Sequence, residues 1–309
     1  MNSKIISNPE WGFEAYRLCD VFSERLLQNA IYHYTSIQNL PSILGKNGLT
    51  LWFTDHRYLN DKLEGKYHLS VIRSVAERLF ENKAISKETH NFIASFAPQN
   101  VYTINIEENC LGTQACDTYI CCFSLSSDSL PMWNYYSKGS YNEGCNLELY
   151  TIDTLQQQLQ RRYGIQCKMI SVIYSRTEQE RIVQKALEFM ETAPTQQDRD
   201  NFFMHFVSQT SFGFKQPACS HEEEVRLILH RPVNSTRTDQ YYLERKFRWS
   251  HGMFIPYVEV TIPQLVKLRT LTLGPLANTD RTEESAKMLL SDLGYGKTKI
   301  SNSSIQMRF

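Results

Sequence analysis

No window of the chain approaches the ~18 consecutive apolar residues of a membrane-spanning helix. The start, Met1-Asn-Ser-Lys-Ile-Ile-Ser7, lacks the long apolar run of a signal peptide. A Gly-x-Gly-x-x-Gly turn and a Walker loop are both missing, which removes the usual phosphate-cradling fingerprints of the Rossmann and P-loop folds. Net charge is lacking too. Lys plus Arg is 33 and Asp plus Glu is 33, so bulk charge favours neither nucleic acid nor an anionic membrane and leaves only a local patch. Eight cysteines occur, but none in a Cys-x-x-Cys pair or with histidine at zinc spacing. No internal repeat or low-complexity segment is present. These absences predict a cytoplasmic protein of a reducing compartment, with free thiols, no metal and no membrane partner.

What is present suits a packed globule. A chain of 309 residues can bury a sizeable core, and 12% of it is aromatic. Apolar spacing predicts an N-terminal helix over 8–29. A strand over 31–36 comes next, then a helix over 37–45 capped by Thr35 or Ser36 and closed by Gly48. A strand at 49–54 precedes a helix over 62–83, capped by Asn60 or Asp61. Further strands are expected at 119–124, 145–150, 167–174, 222–229, 244–262, 268–273 and 297–301. Helices are expected at 132–136, 153–163 and 280–293. A charged helical pair, about 176–215, is broken at Pro194 and interrupts the strands. The class is α+β, one domain over 1–309, with a curved sheet surrounded by helices.

Three groups of residues could carry chemistry. His33 falls near a strand end with a cap hydroxyl beside it, a setting for an anionic or polyhydroxyl ligand. It reads equally as a buried histidine bonded to backbone. Period two puts Glu222, Glu224 and Arg226 on one face of a strand and Val225, Leu227 and Leu229 on the other, toward a core. The acidic face is then either a solvated edge, its ion pair worth ~0–1 kcal/mol, or a carboxylate positioned by arginine to stabilise positive charge. The third group is Ser124, Asp128, Trp133 and Tyr136. The last two share a helix face, as core packing or as a platform for a flat ligand. The Ser124 hydroxyl serves either a ligand or a turn.

The order Tyr32-His-Tyr-Thr-Ser36, Leu51-Trp-Phe-Thr54, Leu59-Asn-Asp61, Cys122-Phe-Ser124, Met132-Trp133 with Tyr136, Glu222-x-Glu224-x-Arg226, Leu273-Gly-Pro275 and Ser304 resembles a bacterial family of unknown function that carries the same succession. Its first motif, with His33, Thr35, Asn39, Leu40, Ile43, Leu44 and Gly48, is in turn similar to that of ADP-ribosyltransferases resembling the DNA-modifying toxins. That resemblance implies an ADP-ribosyltransferase-like split antiparallel sheet and NAD as substrate, without a metal. It implies that His33 holds a ribose hydroxyl, and that Glu224, with Glu222 as second candidate, stabilises the cation formed as nicotinamide leaves. Trp133, Tyr136 and Trp52 compete to stack on nicotinamide. Tyr34, Thr35, Asn60, Ser124 and Arg226 complete the implied nucleotide contacts, Arg226 either holding Glu224 or meeting the pyrophosphate.

The leading expectation is therefore NAD-dependent transfer of ADP-ribose to a macromolecule, nucleic acid or protein, or plain NAD hydrolysis. The alternative is a non-catalytic nucleotide-binding or partner-binding module on the same fold, in the setting of bacterial defence. A metal-dependent nuclease is a third reading. It is disfavoured because Val225 and Arg226 stand where a Glu-x-Lys continuation is needed.

Overall fold

The computed structural model describes residues 4–5, 8–22, 30–46, 48–59, 66–97, 102–107, 110–137, 143–150, 159, 166–233, 242–250, 252–263, 267–277 and 279–306. Thirteen described strands join one sheet. They are β1 (Lys4–Ile5), β2 (Ile31–Ser36), β3 (Leu44–Gly45), β4 (Gly48–Asp55), β5 (Tyr102–Glu107), β6 (Cys110–Ser124), β7 (Gly144–Tyr150), β8 (Gln166–Ser171), β9 (Glu224–Pro232), β10 (Arg245–Ser250), β11 (Met253–Pro263), β12 (Lys267–Leu273) and β13 (Lys299–Asn302). The sheet is open and mostly antiparallel, with β12 and β13 running parallel.

Strand β6 is the spine. One edge pairs with β9 from Cys116 to Ser124. The other edge is shared, since Tyr119 and Ile120 pair with β4 and Ser124 pairs with Tyr32 of β2. Between these contacts Cys121, Cys122 and Phe123 meet β9 on one side and no described strand on the other. The sheet therefore divides here. β4 continues to β11 and β10, while β2 continues to β7, β12 and β13.

Alternation along β9 assigns its two faces. Val225, Leu227 and Leu229 join a core with Phe53, Leu147 and Leu271. Ile228 faces the other way, into a second core with Ile120 and Ile170. The helices α1 (Pro9–Cys19), α3 (Tyr67–Glu81), α4 (Lys87–Ser95), α6 (Arg176–Met190) and α7 (Gln196–Gly213) pack on that second core. The short α2 (Leu40–Ile43) and α8 (Asp280–Asp292) cover the first, and α5 (Leu130–Tyr136) lies at the end of β6. Polar side chains start these helices where the sequence offers them. Asn8, Ser86, Ser175, Thr195 and Thr279 each accept from a free first-turn amide.

Several boundaries differ from the sequence reading. The helix expected over 8–29 stops at Cys19, where the Asp20 amide turns back onto the Tyr16 and Arg17 carbonyls, and residues 23–29 of that range lie outside the described residues. The expected 37–45 helix is a 3₁₀ turn over Ile37–Asn39 and then the four-residue α2. Pro41, in its first turn, has no amide to continue an earlier helix. No side-chain cap precedes it, because the Ser36 hydroxyl donates to the Glu143 carbonyl instead. Gly48, with φ of 134°, opens β4 opposite Gly45 rather than closing a helix. The strand expected at 119–124 is the end of the fifteen-residue β6. The strand expected at 167–174 ends at Ser171. The long helix spans Tyr67–Glu81, and its expected caps Asn60 and Asp61 lie outside the described residues. Of the helix expected at 153–163 only residue 159 is described.

Candidate functional site

A cleft of about 520 Å³ opens where β2 and β4 part from β6. Its walls are the 32–36 stretch of β2, Trp52 and Thr54 of β4, and Ile120 to Phe123 of β6. Tyr58 after β4, Met132 and Tyr136 of α5, Glu222 and Glu224, and Arg248, Trp249 and Ser250 of the β10–β11 hairpin also line it. His33 and Glu224, which sit on different strands far apart in the chain, thus border one hollow.

His33 spans the split. Its Nδ1 lies 3.3 Å from the Cys122 carbonyl, one of the backbone groups that β4 and β2 leave unpaired. Its ring sits 5.6 Å from that of Phe123. Burial pushes the imidazole pKa down, with the carbonyl contact opposing, so the ring is neutral at pH 7. A neutral ring with Nδ1 donating to a carbonyl leaves Nε2 as an acceptor, suited to a ligand hydroxyl. The Thr35 hydroxyl accepts from Asn39 Nδ2 at 3.0 Å and keeps its own proton to donate into the cleft that it lines. Tyr34 directs its ring against Trp133 and its phenol onto the Ser126 carbonyl, so its side chain builds structure.

The acidic pair is not the same-face strand pair expected. Glu222 ends a 3₁₀ turn (Pro217–Glu222), Glu223 is left-handed, and β9 begins at Glu224. The two carboxylates still converge, because Lys215 lies between them. Its Nζ is 2.5 Å from Glu222 Oε2 and 3.3 Å from Glu224 Oε2. Arg226 Nη2 holds Glu224 Oε2 at 2.8 Å, and Arg226 Nη1 donates to the Phe212 carbonyl. Arg226 is 1% exposed and is not among the residues that line the cleft, and its guanidinium contacts Glu224. The environments of the two acids diverge. Burial would push Glu224 up, but Arg226 and Lys215 overcome it and bring its pKa to about 2. Burial dominates at Glu222 and raises its pKa despite Lys215. One acid is fixed as an anion while its neighbour is easier to protonate, a division of labour suited to acid–base work.

The aromatic candidates separate cleanly. Trp133 is 2% exposed, does not line the cleft, and donates its Nε1 to Asp128 at 2.7 Å. It is a core residue, packed with Tyr34 and Met132. Tyr136 lines the cleft beside the acids, and its phenol pKa is raised by burial and then by Cys122, Glu224 and Glu222. Trp52 is 43% exposed, packs against Tyr257 at 4.5 Å and lies beneath Arg248. Ser124 is fully buried. Its hydroxyl donates to the Glu222 carbonyl at 2.7 Å, so it pins the acidic turn to β6 instead of meeting a ligand. Asn60 lies outside the described residues.

Three residues went unread in the sequence. Lys215 bridges the acids, Tyr174 accepts the Glu224 amide at 3.0 Å, and Arg248 enters from the hairpin. Period two along β10 puts Lys246, Arg248 and Ser250 on one face, a signal that could have singled out Arg248. Among the described residues no three His, Cys, Asp or Glu side chains gather as a metal would need. No described helix is long and apolar enough to cross a membrane.

No curated protein and no solved structure matches the chain. Residues 132–227, which include Tyr136, Lys215, Glu222, Glu224 and Arg226, match a family described as a protein of unknown function (DUF2971), and the match supports an unknown-function family for this segment.

Proposed function

We propose that the cleft binds NAD and cleaves its nicotinamide–ribose bond, passing ADP-ribose to a macromolecular acceptor or to water. The observation that carries this reading is the meeting of His33, Glu222 and Glu224 around one hollow of about 520 Å³. Loss of nicotinamide generates an oxocarbenium-like centre, which a preorganised carboxylate stabilises most where water is scarce. Glu224 is a carboxylate of that kind, kept ionised by Arg226 and Lys215. Glu222, with its raised pKa, accepts the proton of the attacking hydroxyl, amine or water. His33 contributes a hydrogen bond to a ribose hydroxyl and needs no charge to do so. Tyr136, beside the acids, and Trp52, across the cleft, offer rings to the bases. This assignment moves the stacking role away from Trp133.

Incubation of the pure protein with NAD tests the reading through nicotinamide release. Wild-type protein is expected to release nicotinamide, and Glu224→Gln to lower the rate at least a hundredfold. Release that ignores Glu224→Gln, or no release with protein, RNA, DNA or water as acceptor, overturns it. Intact NAD recovered from a saturable complex would instead identify a nucleotide-binding module.

A further inference from the structure

The charges around the cleft are unequal in an informative way. Its two lining carboxylates, Glu222 and Glu224, are already matched by Lys215 and Arg226, neither of which borders the cleft. Among the described lining residues Arg248 is the one Lys or Arg. No carboxylate among the described residues lies within ion-pair distance of it. Its neighbours on the hairpin differ, since Arg245 pairs with Asp117 and Lys246 with Glu259. Among the described residues, the charge presented to a ligand without compensation is thus a single guanidinium.

That guanidinium is also held in place. Nη2 donates to the Thr54 hydroxyl at 3.0 Å, and the group lies 5.7 Å over the Trp52 ring. β10 pairs with β11 over six residues, and β11 with β4 over seven, so the support is sheet and not loop. A guanidinium has five N–H donors, of which one is spent here. Arg248 is half-buried; withdrawing a cation even partly from water without a counter-ion is costly, and a fixed planar fork matches a phosphate better than it matches water. Trp52 beneath it, with Tyr58 and Trp249 elsewhere in the same cleft wall, suits a base or ribose and not a bare inorganic anion.

We propose that Arg248 is the anion anchor of this cleft and that the ligand it selects is a nucleotide bearing a phosphate or diphosphate. The proposal rests on the reading of the cleft as a nucleotide site, but it is independent of any bond being cleaved. Calorimetric titration of the full chain with adenosine, ADP and ADP-ribose tests it, on wild type, Arg248→Gln and Arg248→Lys, with thermal melts to confirm folding. Wild type is expected to bind ADP and ADP-ribose more tightly than adenosine. Arg248→Gln is expected to weaken both phosphorylated ligands by roughly ten- to hundredfold and leave adenosine unchanged, and Arg248→Lys to restore part of the loss. Equal affinity for adenosine and ADP, or ADP-ribose affinity indifferent to Arg248→Gln, overturns the proposal, as does no binding at all. Arg248-dependent ADP-ribose binding without nicotinamide release from NAD would retain the anchor and discard the catalytic reading. Nicotinamide release with the same KM in Arg248→Gln would do the reverse.

Discussion

Arg226 Nη2 lies 2.8 Å from Glu224 Oε2, two residues apart on one face of β9, with both side chains almost wholly withdrawn from water. Such a pair is a weak source of net stability but a costly thing to break, because the survivor is left charged in the interior. Arg226→Met is therefore expected to destabilise the fold by about 3–5 kcal/mol and to push the Glu224 pKa upward. Urea unfolding at pH 7 measures the first effect. A double-mutant cycle with Glu224→Gln isolates the pair from the contribution of the Phe212 carbonyl contact.

The pH dependence of stability should carry two opposite signatures from adjacent acids. The Glu224 pKa is depressed to about 2 from an ordinary 4.5. Below pH 4.5 the unfolded chain takes up a proton that the folded chain refuses. Its contribution is thus complete above 4.5 and is lost as the pH falls toward 2. The Glu222 pKa is raised, so the folded state keeps a proton that the unfolded state has released, and stability falls as pH rises through that window. Urea titrations between pH 3 and 7 are expected to show a shallower acid loss in Glu224→Gln and a steeper one in Glu222→Gln. Parallel curves for wild type and both variants would contradict the assigned environments.

His33 should titrate below its ordinary 6.5, since burial opposes its protonation. As acid is added, the unfolded chain protonates first, so its contribution to stability is full above 6.5 and falls below. The ring proton resonance of His33, followed by NMR, reads this directly. His33→Ala is expected to cost about 1 kcal/mol in stability through the lost bond to the Cys122 carbonyl. Its larger effect should be on nucleotide affinity, because the residue lines the split in the sheet.

Asp128 fastens the end of the described chain. It accepts from Trp133 Nε1 at 2.7 Å, the Ser303 hydroxyl at 2.6 Å, and the Ser304 amide and hydroxyl at 2.8 and 2.7 Å. Asp128→Ala strands the buried Trp133 donor and frees the 303–306 segment. A loss of about 2–4 kcal/mol is expected, with faster amide exchange at Ser304 and Ile305 than elsewhere. Uniform exchange changes would show that the contact acts on the whole fold instead.

What the sequence disclosed follows the range of the interactions involved. Alternation in β9 was legible because period two is local, and Val225, Leu227 and Leu229 do face a core. The break at Pro194 between α6 and α7 was legible for the same reason. The placing of His33 and Glu224 around one cleft was expected from resemblance alone, not from any local pattern. The long β6 was missed before Tyr119, since its first half carries few of the aliphatic residues that announce a strand. Lys215 escaped notice because no spacing rule links it to Glu222 and Glu224 across the 3₁₀ turn, and Arg248 because period two along β10 gives its face but not the Thr54 and Trp52 it meets on β4. Pairing of β6 with β4, β2 and β9 determines which side chains meet, and no spacing rule encodes it.

Glu223 holds the geometry of the acidic pair through its backbone. It is left-handed, at φ 43° and ψ 49°, and its side chain is exposed. Its amide donates to the Ser220 carbonyl at 3.2 Å, and its carbonyl accepts from Leu125 at 2.8 Å. A non-glycine residue there costs of order 1–2 kcal/mol, and a β-branched residue fits it worst. Glu223→Gly is expected to keep the turn, with stability within about 1 kcal/mol of wild type because the more flexible unfolded chain offsets the relief. Glu223→Val is expected to lose about 1–2 kcal/mol and to loosen the Glu222 contact with Lys215, which straightening of 222–224 into plain strand would pull apart. Thermal melts measure the first effect and the pH dependence of unfolding the second. A Val variant as stable as the Gly variant, with an unchanged acid limb, would mean that the left-handed turn does not position Glu222.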